Sequence, residues 1–154
     1  MRLLMLTIVI VSIPGLAAVM AAPQEERTQS GDEMAIRTVV EQYFHGIIAY
    51  DEDALRAVFH PEANVMGVNE TGDADWSLFD DWVTYTRGDA PDPAGRDNRI
   101  LDIDIAGPAA VVKTELDWPN LRYYDYLSLL KIDGEWKIVN KIWSRERPDS
   151  RPET

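Results

Sequence analysis

The chain has 154 residues, of which 45% are hydrophobic and 27% charged, and it contains no cysteine. That length suits one domain, since domains mostly have about 100–200 residues. The missing cysteines exclude disulfides, thiolate metal sites, cysteine nucleophiles and a lipidated N-terminal cysteine. A formal charge of −12 argues against nucleic-acid binding, which needs a basic face, and against docking on anionic lipid. We therefore expect neither nucleic acid nor a membrane surface as a partner.

The beginning of the chain has the pattern of a secretory signal. Arg2 is the only charge in the first 22 residues, and the uncharged stretch after it ends in small residues. This pattern predicts a signal peptide over 1–21. A retained membrane anchor is the alternative, since about 20 apolar residues just span a bilayer, but Pro14 and Gly15 interrupt the stretch. We expect a periplasmic or secreted protein without a stable membrane anchor.

Two polar segments flank the part of the chain that we expect to fold. The segment 22–30 and the tail 146–154 contain no large apolar residue, which predicts a flexible leader and a flexible tail. No internal repeat and no second domain boundary is visible between them. The folded domain is therefore predicted over 31–145.

Helices are predicted in the first part of this domain. Ser30–Glu33 has the S-x-x-E form of a capping box, and apolar residues recur at helical spacing up to Ile48, which predicts a first helix over 31–50. Asp51 then caps a second, short helix that ends before Pro61, because proline disfavours helical geometry in the preceding residue. The buried face of this short helix is predicted to be Leu55, Val58 and Phe59.

A short strand and a third helix follow. The strand is predicted over Asn64 to Val68, and the helix begins at Ser77. Its inward residues are predicted to be Leu78, Phe79, Trp82, Val83 and Thr86. The Gly- and Pro-rich segment 88–95 is predicted to be a loop.

From Arg99 onward the apolar period changes to two, which is typical of half-buried strands. The inward residues of the next two strands are predicted to be Leu101, Ile103 and Ile105, and then Ala110, Val112, Thr114, Leu116 and Trp118. Asp133-Gly134 joins two further strand-like runs between Tyr123 and Ser144, which is a strong hairpin signature.

A two-residue turn would place Ile132 opposite Glu135 and so set the register of this hairpin, with Leu129 opposite Ile138, Leu127 opposite Asn140 and Asp125 opposite Ile142. One face then carries Asp125, Leu127, Leu129, Trp136, Ile138, Asn140 and Ile142. The other face carries Tyr124, Tyr126, Ser128, Leu130, Lys137, Val139, Lys141 and Trp143. A bulged turn would shift one strand by one residue and exchange these faces.

The order of these elements predicts an α+β fold, in which N-terminal helices pack in a strongly curved mixed or antiparallel sheet. Three sequence segments within this order of elements resemble the nuclear transport factor 2-like superfamily, a cone-shaped α+β fold. They are Tyr43–Gly46, Phe59–Ala63, and Asp125–Lys131 with Asp133–Lys141. The resemblance covers about residues 33–145. It is closest to the bacterial branch labelled putative lumazine-binding or nuclear transport factor 2 family protein.

The resemblance implies a pocket between helices and sheet but no single function. The superfamily includes steroid isomerases, dehydratases, epoxide hydrolases, polyketide cyclases and many non-catalytic binders, and the fold does not select among them. Its members commonly dimerise through the outer face of the sheet. A homodimer through Tyr124, Tyr126, Val139 and Trp143 is therefore expected, because these residues form an apolar patch on one hairpin face.

Asp125 and Asn140 are polar residues on the apolar hairpin face, so they need partners or line a wet cavity. A desolvated Asp125 could act as general acid or base, as pocket carboxylates do in catalytic members of the superfamily. The alternative is that Asp125 caps backbone or pairs with Lys or Arg. Tyr43 could donate to a bound carbonyl. His60 is a third catalytic candidate, although before Pro61 it can simply bond the nearby backbone.

The candidate ligand-binding residues are Tyr43, Tyr50, Trp82, Tyr85, Trp118, Asp125 and Asn140, with the aromatic members as pocket walls or, alternatively, as core. Two histidines do not make a zinc site, and the acidic clusters lack calcium-loop spacing. No phosphate loop or nucleophile motif occurs, so neither a metal nor a cofactor is expected.

Three hypotheses follow. The first is an exported protein that binds a small, partly apolar molecule. The second is a metal-independent acid–base enzyme of the isomerase, dehydratase or hydrolase type. The third is a protein-interaction module that uses the outer sheet face.

Overall fold

A computed structural model describes residues 24–69, 71–86 and 94–146. The predicted signal peptide, most of the loop 88–95 and the tail beyond Glu146 lie outside these residues. The helical elements are α1 (Gln24–Ala49), α2 (Glu52–Val58), α3 (Phe79–Trp82) and a 3₁₀ turn (Val83–Thr86). The strands are β1 (Phe59–Val68), β2 (Ala74–Leu78), β3 (Asp97–Ala106), β4 (Ala109–Trp118), β5 (Leu121–Ile132) and β6 (Glu135–Glu146).

The six strands form one curved mixed sheet in the order β2-β1-β6-β5-β4-β3. Neighbouring strands are antiparallel except β1 and β6, which run parallel. Helix α1 packs on the inner face of the sheet through a buried stripe at helical spacing, formed by Ile36, Val40, Tyr43, Phe44 and Ile47. The predicted α+β class, with an N-terminal helix against a curved sheet, is confirmed.

Helix α1 begins at Gln24, earlier than the predicted start at residue 31. The residues before Ser30 are mostly good helix formers, so the helix extends through the capping-box sequence instead of starting there. The box residue Asp32 makes tertiary contacts instead. Its carboxylate accepts hydrogen bonds from Lys131 Nζ at 2.6 Å and Trp136 Nε1 at 3.1 Å. These two bonds connect α1 to the last hairpin.

The segment after α2 is more extended than predicted. Asp51 caps α2 as expected, but the helix ends at Val58, and Phe59 already belongs to β1. Strand β2 was not predicted, and it takes Ser77 and Leu78 out of the predicted third helix. Pairing of Leu78 with Asn64 of β1 turns the Leu78 side chain outward, and 56% of it is exposed. Helix α3 therefore begins at Phe79 and has four residues.

Two β-bulges change the predicted facings of strand residues. In β3 the register shifts between Ile100 and Asp102, so Leu101 is exposed and Ile100 packs against the core in its place. In the last hairpin Leu129 lies opposite Ile138 as predicted, but the next pair is Ser128 with Asn140.

The second bulge leaves Val139 as the extra residue of β6 and exchanges the two faces beyond it. Lys141 and Trp143 turn to the inner face, where Lys141 is buried and Trp143 packs against the core. Ile142 turns outward and is 46% exposed. The predicted pairing of Asp125 with Ile142, and the outward positions of Lys141 and Trp143, are wrong for this reason.

Among the helices that the structure describes, none is both long enough and apolar enough to cross a membrane.

Candidate functional site

A cavity of about 240 Å³ lies between the end of α1, the α3 region and the inner face of the sheet. Its walls are largely aromatic, and it holds one buried cationic side chain, Lys141. The lining residues are Ile47, Asp75, Trp82, Leu116, Trp118, Tyr123, Lys141, Trp143 and Arg145. An apolar cavity with a few convergent polar groups is the usual form of a small-molecule site.

Lys141 is part of a buried hydrogen-bonded cluster with Tyr43 and Asp125. The Lys141 ammonium donates to the Tyr43 hydroxyl oxygen at 2.5 Å and lies 3.2 Å from Asp125 Oδ2. The Tyr43 hydroxyl in turn donates to Asp125 Oδ2 at 2.6 Å. Tyr43 and Asp125 are fully buried, and Lys141 is 6% exposed. Only Lys141 of the three lines the cavity, so Tyr43 and Asp125 lie behind it as positioning residues.

The electrostatics of this cluster favour a protonated tyrosine beside an ion pair. Burial, followed by the adjacent Asp125 carboxylate, raises the pKa of Tyr43 well above its ordinary value of 10.0. Tyr43 therefore remains a hydrogen-bond donor at neutral pH. The Lys141 ammonium also lies 5.0 Å from the centre of the Tyr43 ring and 5.1 Å from that of Trp82. These ring faces add to the stabilisation of a desolvated cation.

Each member of the cluster is placed by a local feature of the sequence. Tyr43 lies on the buried stripe of α1. Asp125 lies on the inner face of β5, opposite Thr114 of β4 and Trp143 of β6. Lys141 reaches the same point because the bulge at Val139 turns it inward.

Lys141 was missed as a site residue because a regular hairpin register places it on the outer face. One signal in the sequence pointed to it. An aspartate on an apolar face needs a cation, and pairing of Asp125 with Lys or Arg was the alternative interpretation. The structure bears out that alternative, with Lys141 as the partner.

Glycine at position 67 allows one wall of the cavity to form. Gly67 of β1 lies opposite Trp143 of β6. A Cβ atom at Gly67 would overlap the Trp143 indole and lie 2.7 Å from the Trp143 carbonyl oxygen. The missing side chain therefore lets the indole pack against β1 and face the cavity.

The remaining predicted site residues are distributed as follows. Trp82 and Trp118 line the cavity, whereas Tyr50, Tyr85 and Asn140 do not. Tyr85 is 80% exposed in the 3₁₀ turn, and Tyr50 follows the end of α1 in a left-handed conformation with φ of 54°. Asn140 faces outward because of the bulge. These three are corrections to the predicted pocket walls.

His60 does not join the cluster of Tyr43, Asp125 and Lys141. It lies near the start of β1, and its Nδ1 accepts a hydrogen bond from the backbone N–H of Glu62 at 3.2 Å. This local bond to the backbone is the alternative interpretation given for His60. Within 24–69, 71–86 and 94–146, no group of three or more His, Asp or Glu side chains is placed to hold a metal ion.

Comparison with known proteins assigns the family. The model of the family described as "Putative lumazine-binding" matches residues 31–144. A solved NTF2-like protein of unknown function from Silicibacter pomeroyi DSS-3 is 26% identical, with a TM-score of 0.70 over 77% of this chain and 98% of that one. A second, from Shewanella baltica OS155, is also 26% identical, with a TM-score of 0.70 over 76% of this chain and 95% of that one.

A curated relative, "Aldolase FrzH" from Cladobotryum sp, is 34% identical in an alignment 92 residues long that covers 55% of this chain and 68% of that protein. The chain therefore belongs to the putative lumazine-binding family, within the NTF2-like superfamily.

Proposed function

We propose that this protein binds a small, flat organic molecule in the aromatic cavity, through a neutral carbonyl group that accepts a hydrogen bond from Lys141. The observation that carries the proposal is the single buried ammonium among aromatic walls. An ammonium has three N–H donors. Tyr43 accepts one of them and Asp125 lies 3.2 Å away as the counter-ion, which leaves an N–H donor for a ligand in the cavity.

A carbonyl suits this cluster better than a carboxylate does. The Asp125 carboxylate already balances the charge of Lys141, so the pair is neutral as a unit. A second carboxylate beside Lys141 would have to be desolvated without a full compensating charge from this pair. A carbonyl oxygen needs only the hydrogen bond, while its ring packs on Trp82, Trp118 and Trp143. The family description supports this ligand class, because lumazines are flat rings that carry carbonyl groups.

Calorimetric titration with benzamide and with lumazine tests the proposal. Both probes are flat and carry a carbonyl that does not react with amines. The decisive variant is Asp125→Asn/Lys141→Met, which removes both charges together and leaves neither buried alone. We expect it to weaken binding at least about tenfold, because a hydrogen bond to a charged group contributes roughly 1.5–3 kcal/mol.

The matched control is Lys113→Met, which removes a lysine from the outer side of the sheet, where it lies over Tyr124 and Tyr126. It should bind both probes as the wild type does. Equal affinities of the wild type and the double variant would contradict the proposal.

Catalysis of a reaction of a carbonyl compound is a second candidate function. The observation that favours it is an amine at the inner end of a largely apolar cavity, together with the likeness to a protein named as an aldolase. Asp125 does not line the cavity, so this geometry favours Lys141 over Asp125 as the group that meets a substrate.

We also propose that the protein is exported, because residues 1–21 have the pattern of a secretory signal.

We also propose a homodimer through the outer sheet face, with a set of residues that shares Tyr126 with the predicted one but otherwise differs from it. Trp143 lies on the inner face and does not contribute. The register instead aligns Trp76 with Met66, Met66 with Ile142, and Ile142 with Tyr126 in one row across β2, β1, β6 and β5. Three of these four side chains are exposed. A second copy would bury a row that is too apolar to leave in water.

A further inference from the structure

The buried amine of Lys141 is a potential nucleophile as well as a hydrogen-bond donor. We propose that Lys141 forms a covalent imine with an aldehyde or ketone that enters the cavity. This inference rests on the proposed function, since it needs a carbonyl ligand at the same nitrogen. It adds a covalent step that hydrogen bonding alone does not imply.

The position of Lys141 sets it apart from the other three lysines of the chain. Lys113 lies over tyrosine rings on the outer side of the sheet. Lys131 pairs with Asp32, and Lys137 donates to the Ala57 carbonyl oxygen. Lys141 alone lines the aromatic cavity, where a bound carbonyl carbon would be held next to its nitrogen. Such proximity raises the effective concentration of the reacting groups.

The first step is removal of a proton from the ammonium, because only the neutral amine carries a free electron pair. The hydrogen-bond chain offers a route for this proton. Lys141 donates to the Tyr43 oxygen, and Tyr43 donates to Asp125 Oδ2. A proton passed to Tyr43 as Tyr43 passes its own to Asp125 leaves Lys141 neutral, Tyr43 unchanged and Asp125 protonated.

The amine then attacks the carbonyl carbon. A C–N bond forms, the carbonyl π electrons move to oxygen, and a proton moves from nitrogen to that oxygen to give a carbinolamine. The proton held by Asp125 returns through Tyr43 to the carbinolamine nitrogen. The nitrogen passes one proton to the neighbouring hydroxyl group, which leaves as water while the nitrogen electron pair forms the C=N bond. The products are a protonated imine, one water molecule and the Asp125 carboxylate.

The product has the same charges as the starting state. A protonated imine replaces the ammonium beside Asp125, and its positive charge remains near the rings of Tyr43 and Trp82. The contacts that stabilise the buried ammonium therefore also stabilise the imine.

The test is reductive trapping with benzaldehyde and cyanoborohydride, followed by peptide mapping of all four lysines. We expect benzylation of Lys141 to be about tenfold faster than that of Lys113, or more, because the cavity positions the aldehyde. Benzamide in excess should slow labelling at Lys141 and leave labelling at Lys113 unchanged. Wild-type protein suffices, so no variant has to fold.

Binding of benzamide to the same preparation separates the two proposals. Benzamide binding with Lys141 labelled no faster than Lys113 would overturn the imine and leave the binding function standing. Absence of both benzamide binding and Lys141 labelling would overturn both.

Discussion

Lys141 and Asp125 are two opposite charges in the interior of the domain, Asp125 fully buried and Lys141 6% exposed, and neither is stable there alone. Desolvation of each charge is unfavourable, and the short contact between them, with Tyr43 bridging, compensates for it. Removal of one partner is therefore expected to be worse than removal of both. The pair holds the Lys141 nitrogen at the cavity, which is the basis of the proposed function.

Asp125→Asn should lower the free energy of unfolding by about 3–5 kcal/mol, because it leaves the Lys141 ammonium buried without its counter-ion. Asp125→Asn/Lys141→Met should recover most of this loss. Urea denaturation of the wild type, both single variants and the double variant measures the coupling between the two sites. Additive effects of the two substitutions would contradict a buried ion pair.

The residues of this cluster show what the sequence could and could not reveal. Tyr43 and Asp125 were identifiable, because each is a polar group within an apolar pattern. Lys141 was not, because its facing depends on one extra residue in β6. Repeating patterns of hydrophobicity locate strands, but they do not indicate where a bulge interrupts a ladder.

At the scale of elements, α1 is held against the sheet at two distant points. Tyr43 joins it to β5 and β6 near the cavity. Asp32 joins it to Lys131 and Trp136, which flank the turn of the last hairpin. The buried stripe of α1 was predictable from its spacing, whereas the contact of Asp32 was not, because the capping-box pattern predicts a helix start at Ser30 and no tertiary contact.

Asp32 should contribute stability that depends on pH. Its hydrogen bonds from Lys131 and then Trp136 lower its pKa below the ordinary value of 3.8. A carboxyl group with a lowered folded-state pKa stabilises the fold above its unfolded pKa, and this contribution is lost as pH falls through the folded value. Asp32→Asn should therefore be less stable than the wild type at pH 7.

The difference between Asp32→Asn and the wild type should shrink as the pH falls below 3.8. Thermal unfolding at a series of pH values measures this difference. Glu41→Gln, at an exposed position of the same helix, is the control and should follow the wild type throughout. A difference that stays constant from pH 7 into the acid range would exclude a role for the charge of Asp32.

Strand β2 and the edge of the sheet were the least predictable elements. Most β2 residues are exposed, so the strand has no alternation of apolar and polar residues to identify it. Its hydrogen bonds to β1, and not its side chains, define it as a strand. The same edge supplies Asp75 to the cavity, so an unpredicted strand also supplies a lining residue.

At the scale of the whole molecule, the two faces of the sheet differ in what they contact. The concave face packs on α1 and forms the cavity. The outer face carries the row of Trp76, Met66, Ile142 and Tyr126. The bulge at Val139 determines the residues on both faces, because it turns Lys141 and Trp143 inward and Ile142 outward.

Ile142→Glu should convert the proposed dimer to a monomer, because it places a charge in the middle of the apolar row. Sedimentation equilibrium of wild type and variant measures the change in mass. Tyr85→Glu alters another exposed apolar side chain, away from the sheet, and should leave the dimer intact. A monomeric wild type, or an Ile142→Glu variant that remains dimeric, would contradict the proposed interface.

A crystal structure of the wild-type protein with benzamide would show directly whether Lys141 binds a carbonyl group in the cavity. We expect the benzamide ring to lie among Trp82, Trp118 and Trp143, with its carbonyl oxygen within hydrogen-bond distance of Lys141 Nζ. Tyr43 and Asp125 should keep their bonds to Lys141 behind the ligand. Benzamide bound elsewhere, or bound in the cavity with its carbonyl turned away from Lys141, would contradict the proposed binding mode.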